Sequence, residues 1–275
     1  MDNKSLLKWQ VDMGADEAVS NKPVNRMVQK LEKKEEKPVK SQKVTNSVSK
    51  PSDFKPTPPM EAEKKAREIA DSAKSLKDLK EKVSNFDGLA IKKTATNTVF
   101  SDGNEKANIM LIGEAPGANE DEQGIPFCGG SGQLLDKMFA WVGITRKDNL
   151  YISNTIFWRP PGNRKPTPEE LAICKPLVEK HIALLDPKLL ILSGATANFA
   201  VLGEKTGITK IHGQFLTYKN DYMKEEIPVM AIFHPSFLLR QPSQKKHFWH
   251  DLLKIREYVL KNKIAKLPKK PVPIS

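Results

Sequence analysis

The chain has 275 residues, of which 39% are hydrophobic, and a formal net charge of +12 at pH 7. That length allows one or two domains. A positive net charge is compatible with a polyanionic partner such as nucleic acid, but it supports one only together with a binding site for it. The two cysteines, Cys128 and Cys174, exclude a disulfide framework and indicate a reducing compartment. No apolar stretch is long enough for a signal peptide or a membrane span, so we expect a soluble, cytoplasmic protein that contacts no membrane.

Residues 1–60 are rich in Lys, Ser and Pro and are predicted to form a disordered basic arm. Within the arm, residues 4–19 carry apolar side chains at helical spacing, which fits either a short amphipathic helix or a transient one. The arm could bind DNA or another protein. Residues 61–105 follow as a helical lead-in, and their Ala and Leu spacing up to residue 83 predicts one or two helices.

From residue 106 to 262, before a basic tail at 263–275, short apolar runs alternate with amphipathic segments. The apolar runs predict buried strands at 108–113, 150–155, 188–194 and 229–234, with an extra strand at 214–218. The other segments predict helices at 132–143, 167–185, 195–202 and 243–260. Thr167 suits the N-cap of the second helix, and Pro176 should bend or split it. We therefore predict an α/β three-layer sandwich with a mostly parallel central sheet flanked by helices.

Three polar segments directly follow predicted strands, and in a parallel sheet such segments meet at the carboxyl edge, where ligands bind. They read GEAPGANEDEQGIPFCGGSG from residue 113, NTIFWRPPGNRKP from 154 and HPSFLLRQPS from 234. The topology therefore gathers six side chains at one rim: Glu114, Glu120, Asp121, Phe127, Asn154 and His234. A dinucleotide fingerprint and a P-loop are both absent, which argues against a nucleotide-binding protein.

These segments resemble the motifs of the uracil-DNA glycosylase superfamily, and most closely those of its family 4. The matching blocks are GEAPGANEDEQGIPFCGGSGQLL, ISNTIFWRPPGNRKPTPEE and HPSFLLR, in family order between about residues 83 and 258. The resemblance implies a uracil-DNA glycosylase-like fold. It also implies a monofunctional DNA glycosylase that flips uracil out of DNA and hydrolyses its N-glycosidic bond, which is the first step of base excision repair. Its partner would be uracil-containing DNA, and we expect a monomer. The alternative is a non-catalytic DNA-binding or replication-associated protein that kept the fold.

The resemblance also implies roles for individual residues. Glu120 would orient or activate the attacking water, with Asp121 as its rival. Asn154 would read the uracil edge with its amide, and His234 would donate to O2 of the leaving base. Phe127 would stack on the flipped ring, and Glu114 could contact substrate or hold its loop by bonding backbone N–H groups. The remaining substrate-binding positions are Gly113, Ala115, Gly117 and Arg240.

Four further residues within these motifs could contact DNA, and a fifth candidate is an isolated histidine. Arg159 and Arg164 could contact phosphates. Leu238 and Leu239 could wedge into the space left by the flipped base, or simply pack at the start of a helix. His212 could touch the DNA strand, but we expect it to be merely exposed.

Members of family 4 hold a [4Fe–4S] cluster on four cysteines, and the resemblance places these positions at Phe86, Leu89, Trp158 and Cys174. Only Cys174 retains a thiol, and one thiolate cannot hold a cluster that needs four ligands. We therefore expect neither cluster nor metal. Our hypothesis is that the four side chains pack together as an apolar substitute for the cluster. The alternative is decay of an abandoned site in a protein that is losing its function.

Overall fold

The computed structural model describes residues 58–203 and 205–268. The predicted basic arm up to residue 57, with its possible helix at 4–19, lies outside the described residues. So does the end of the tail, from residue 269. Among the helices of the described ranges, none combines the length and apolar character needed to cross a membrane.

A six-stranded sheet forms the centre of the fold, with strand order β1-β3-β2-β4-β6-β5. The short edge strands β1 (Asp102–Gly103) and β5 (Phe215–Tyr218) pair antiparallel with their neighbours. The four inner strands are mutually parallel: β2 (Ile109–Gly113), β3 (Leu150–Asn154), β4 (Leu189–Ser193) and β6 (Ile227–Ile232). The mostly parallel sheet is thus confirmed, because continuous apolar runs suit strands that are covered on both faces.

Helices lie on both faces of the sheet. They are α1 (Pro59–Ser72), α2 (Leu76–Asn85), α3 (Ile91–Thr94), α4 (Ala118–Gln123), α5 (Gly130–Trp141), α6 (Pro168–Leu185), α7 (Ala195–Leu202), α8 (Ile208–Ile211), α9 (Pro235–Arg240) and α10 (Lys245–Lys261), with 3₁₀ turns at Pro161–Asn163 and Pro242–Gln244. Thr167 caps α6 as expected, accepting from Glu170 N at 3.1 Å. The expected split at Pro176 is wrong: α6 continues through it, because proline removes only one N–H bond and this turn is buried in the core.

Two apolar clusters fill the layers on either side of the sheet, and strand alternation divides β2 between them. Met110 and Ile112 face the cluster with α1, α2 and α6, while Ile109 and Leu111 face the cluster with α5 and α10. The helical lead-in contributes the small residues of α1, which pack closely on α6: Ala62, Ala66 and Ala70. The lead-in therefore belongs to the same core as the sheet.

The four positions of the family's cluster ligands lie together in the first of these clusters. Phe86, Leu89, Trp158 and Cys174 are all at most 5% exposed. The rings of Phe86 and Trp158 lie 6.1 Å apart, and Trp158 Nε1 donates to Thr98 Oγ1 at 3.0 Å. Burial raises the pKa of the Cys174 thiol, which keeps it protonated. All four side chains are thus buried in one apolar cluster and two of them are in contact, while their packing around Cys174 as a substitute for the iron–sulfur cluster stays a hypothesis.

Candidate active site

A cavity of about 800 Å³ opens at the carboxyl ends of the parallel strands. Its walls come from segments that follow β2, β4 and β6, together with the polar segment beyond β3: 114–120, 127–131, 163–165, 194–196 and 233–240. The walls include the predicted residues Ala115 and Gly117 as well as Arg240. Separate chain segments thus meet at one edge of the sheet, as the parallel topology requires.

Asn154 ends strand β3 directly opposite Gly113, the last residue of β2. Its amide is 2% exposed, and its Oδ1 finds no hydrogen-bond partner among the described residues. A Cβ at Gly113 would lie 2.5 Å from this oxygen and 2.5 Å from Phe127 Cε2, so only glycine allows the amide and the ring to approach so closely. A buried acceptor without a partner is costly, and a ligand N–H group would satisfy it.

His234 caps helix α9 and lies 5.6 Å from the Phe127 ring, centroid to centroid. Its Nδ1 accepts from the backbone N–H of Ser236 at 3.2 Å and lies 2.8 Å from Ser236 Oγ, which can also donate to it. This pair of contacts fits the neutral tautomer that carries its proton on Nε2. Burial, with a smaller effect of the Arg240 charge, lowers the pKa of His234 to about 4. The side chain is therefore a neutral N–H donor near pH 7.

Glu120 and Glu114 both line the cavity, and each is held by neighbouring loops. Glu120 accepts from the backbone N–H groups of Gly117, at 3.1 Å, and Gly129, at 2.9 Å. The loop-holding role considered for Glu114 thus belongs to Glu120. Glu114 instead accepts from the hydroxyl of Thr196, on the segment that follows β4. A carboxylate has about four acceptor sites, so Glu120 retains capacity to accept from a water.

Asp121, the predicted rival of Glu120, lies outside the cavity wall. It is 3% exposed, and its Oδ1 accepts from the backbone N–H groups of Thr96, at 2.8 Å, and Asn97, at 3.1 Å. These bonds fix the lead-in to the loop after β2. The position therefore gives Asp121 a structural role and no contact with a ligand in the cavity.

The predicted DNA-contacting residues differ in their exposure and in the hydrogen bonds they already form within the protein. Arg164 forms two hydrogen bonds with Glu170, at 2.8 and 2.6 Å, although it still borders the cavity. Arg159 donates to Asn163 Oδ1 at 2.7 Å. Leu238 is fully buried, whereas Leu239 is 49% exposed, so only Leu239 is available to enter DNA.

The expectation that His212 is merely exposed is wrong. Its Nδ1 lies 2.8 Å from Oδ2 of the buried Asp251, and its ring packs on Phe233. The paired residue lies 39 positions along the chain, so no local pattern could indicate it. Several wall residues were not predicted, among them Asn119, Thr196 and Ser236. Ser236 follows His234 by two positions, a spacing typical of local side-chain capping, whereas Thr196 has no such signal.

Together, fold and cavity define a three-layer α/β protein with a polar pocket at the carboxyl edge of its sheet. The Phe127 ring and the neutral His234 imidazole line that pocket, and the buried Asn154 amide, which is not part of the wall, lies directly beside the ring. An aromatic ring, an amide acceptor and an imidazole are groups that recognise a nucleobase extruded from its stack. Residues 100–253 match the family model described as the uracil DNA glycosylase superfamily, and the chain belongs to that superfamily.

Several relatives are named type-4 uracil-DNA glycosylases. The chain is 35% identical over 190 residues to one from Sulfurisphaera tokodaii, covering 68% of this chain and 86% of the relative. It is 35% identical over 187 residues to one from Archaeoglobus fulgidus, covering 66% and 92%. It is 39% identical over 169 residues to one from Thermotoga maritima, covering 60% and 85%.

Proposed function

We propose that this protein is a monofunctional glycosylase that hydrolyses the N-glycosidic bond of uracil in DNA. The observation that carries the proposal is the unpaired Oδ1 of Asn154 beside the Phe127 ring. Uracil presents an N3–H donor to such an acceptor. Cytosine presents an acceptor at the same position, which would leave two acceptors facing each other in a buried site. Unpaired buried polar groups are how a site rejects a close analogue.

In this proposal the remaining groups act on the flipped nucleotide in turn. Phe127 stacks on the base, which must leave the duplex at a cost of a few kcal/mol. His234 donates from Nε2–H to O2 as negative charge develops on the leaving base. Glu120 orients the attacking water with its spare acceptor sites, and its negative charge favours an oxocarbenium-like sugar.

The test uses the full chain with end-labelled oligonucleotides that contain one uracil, in single and double strands, followed by alkali. We expect alkali-dependent cleavage at uracil and none at cytosine. Asn154→Ala and His234→Ala should each slow excision by about 10²–10³-fold, the usual effect of losing one transition-state contact. Because Lys165 borders the cavity, cleavage without alkali would indicate a lyase step and contradict the monofunctional assignment. A folded protein that releases no uracil would favour a non-catalytic DNA-binding protein.

We also propose that the protein holds no [4Fe–4S] cluster. Three of the four family positions carry side chains without a thiol, and the Trp158 N–H already donates to Thr98. The described residues contain no group of three or more His, Cys, Asp or Glu side chains suited to a metal ion. Iron analysis and visible absorption of the purified protein test this proposal. Stoichiometric iron with a broad visible band would contradict it.

The organisation of the chain completes the proposal. Residues 106–262 would form the catalytic domain, residues 61–105 its helical lead-in, and residues 1–60 and 263–275 basic extensions. With a formal net charge of +12, these extensions would add sequence-independent affinity for DNA. Binding of the full chain to an unmodified oligonucleotide should therefore weaken steeply as salt is raised, and a salt-independent affinity would contradict this role.

A further inference from the structure

The backbone of Phe127 has a conformation that few non-glycine residues adopt. Its φ is +53°, in the left-handed region, and its side chain is only 6% exposed at the cavity wall. Such a conformation persists only when the surrounding structure holds it. The ring of Phe127 therefore depends on whatever fixes the 126–127 peptide.

The group that fixes this peptide is the guanidinium of Arg146. Its Nη1 donates to the carbonyl oxygen of Pro126 at 2.6 Å, and its Nη2 donates to that of Phe127 at 2.6 Å. Arg146 does not border the cavity, so it can act on a bound base only through Phe127. A planar fork of donors suits two neighbouring carbonyl oxygens, which a lysine ammonium could not match.

Two carboxylates hold the guanidinium in place. Arg146 Nε donates to Asp136 Oδ1 at 2.9 Å, and Nη1 donates to Asp102 Oδ2 at 2.9 Å. Asp136 lies on α5 and Asp102 on the edge strand β1, so the brace joins two elements to one loop. The Arg146 side chain is 16% exposed, which shields these charge-assisted bonds from solvent.

The close approach of α5 to the same peptide completes the arrangement. A Cβ at Gly132 would overlap the carbonyl oxygen of Phe127, so this position of the helix requires glycine. The helix and the guanidinium therefore confine the same carbonyl group from two directions. Arg146 itself lies in the connection between α5 and β3.

We propose that Arg146, held by Asp102 and Asp136, is a positioning residue that fixes the Phe127 ring for stacking on the extruded base. This inference rests on the function proposed above. It adds a residue that neither touches the substrate nor lies in a motif used to identify the site. Its loss should act on catalysis only while Phe127 is present.

The test compares Arg146→Met, which keeps the apolar stem, with Arg256→Met as a matched control. Arg256 is also a buried arginine that donates to backbone carbonyl oxygens, those of Val142 at 2.8 Å and Pro268, away from the cavity. In single-turnover excision, Arg146→Met should be about 10–100-fold slower, since small displacements of a positioning group have effects of that order. Arg256→Met should keep the wild-type rate, even where both lower the melting temperature.

A double-mutant comparison separates positioning from a general structural role. In a Phe127→Ala background, Arg146→Met should cost at most about twofold more, because the group it positions is gone. Equal losses in both backgrounds would overturn the proposal, as would a folded Arg146→Met protein with the wild-type rate. Where Arg146→Met fails to fold, Asp136→Asn replaces it as a milder weakening of the same brace, with the same non-additivity expected.

A spectroscopic measurement keeps this test independent of the proposed activity. The His234 ring lies within the ring current of Phe127, so its proton resonances report the position of that ring. With five histidines in the chain, His234 can be assigned from the His234→Ala spectrum. Arg146→Met should shift the His234 signals and Arg256→Met should not. Unchanged His234 signals in Arg146→Met would overturn the inference, whereas an inactive wild type with shifted signals would overturn only the glycosylase function.

Discussion

Replacing Gly113 with alanine should place a methyl group in the space that the Phe127 ring and the Asn154 amide now share. A Cβ there would lie 2.5 Å from both Phe127 Cε2 and Asn154 Oδ1, about 1 Å inside normal contact. Strand β2 is paired on both sides up to Ile112, and Gly113 itself is paired with Asn154 of β3. These pairings hold its backbone in place, so the ring or the amide must shift by about that distance. A displacement of ~1 Å at a reacting centre costs about 10²-fold in rate, which corresponds to ~2.7 kcal/mol of barrier.

The assay is single-turnover excision of uracil from a labelled oligonucleotide by the full chain. Gly130→Ala is the matched control, because Gly130 borders the same cavity but a Cβ there meets nothing within 4 Å. We expect Gly113→Ala to be about 10²-fold slower and Gly130→Ala to stay within about twofold of wild type. If Gly113→Ala folds normally and excises uracil as fast as the control, the proposed contact between the ring, the amide and the base is refuted.

The remaining predictions follow from burial and charge. Burial and the Arg240 charge lower the pKa of His234 to about 4, and protonation of Nδ1 would remove the bond from the Ser236 N–H that orients the ring. Excision should therefore hold down to about pH 5 and fall through pH 4; a fall centred on 6.5, the unperturbed value, would contradict this. The unfolded chain takes up this proton first, so the free energy of unfolding in urea should also decrease as the pH falls from about 6.5 towards 4. Leu239→Ala should slow excision from duplex DNA more than excision from single-stranded DNA, and equal slowing on both forms would exclude a wedge. The buried Leu238 should act on stability instead, so Leu238→Ala should lower the free energy of unfolding by about 2–5 kcal/mol. Phe86→Ala should cost about 3–5 kcal/mol of unfolding free energy in urea with an unchanged excision rate, and a selective loss of activity would show that this cluster shapes the site directly.

The sheet could be predicted because its inner strands are short apolar runs separated by amphipathic segments. Several short elements could not be predicted, and two of them show the physical reasons. Strand β1, Asp102–Gly103, has two residues, which is too short to show any periodicity. Helix α4, Ala118–Gln123, is polar along its length, and its ends are fixed by loop contacts instead of an apolar face. Tertiary contacts determine the secondary structure of such short segments, and a local sequence pattern contains no information about those contacts.

The same limit applies within the site. The parallel topology places Asn154 and His234 at one edge of the sheet, and that much follows from sequence. The orientation of each side chain does not. Asp121 turns towards Thr96 and Asn97, which lie about 25 residues earlier in the chain, and leaves the cavity to its neighbour Glu120. Only the folded loop reveals which of two adjacent carboxylates faces the ligand.

The apolar cluster around Cys174 and the cavity are connected through the segment that leaves strand β3. Thr155 N donates to Gly113 O at 2.9 Å directly after the recognition amide, and Phe157 O accepts from Val99 N at 2.8 Å. Trp158 then enters the core. The side chains that pack beside Trp158 therefore anchor the segment that continues from Asn154.

Rigid burial is what that anchor requires, and large apolar side chains supply it as well as a cluster could. Decay of an abandoned site would be expected to leave orphaned polar groups there. Phe86 and Leu89 carry no polar side-chain atom, and the one nitrogen among the four side chains, Trp158 Nε1, donates to Thr98 Oγ1 at 3.0 Å. Beside the Phe127 ring, by contrast, the buried Asn154 Oδ1 has no partner among the described residues, and it is the acceptor proposed to read uracil. A satisfied Trp158 and an unsatisfied Asn154 favour a substituted anchor with a retained site over a protein losing its function.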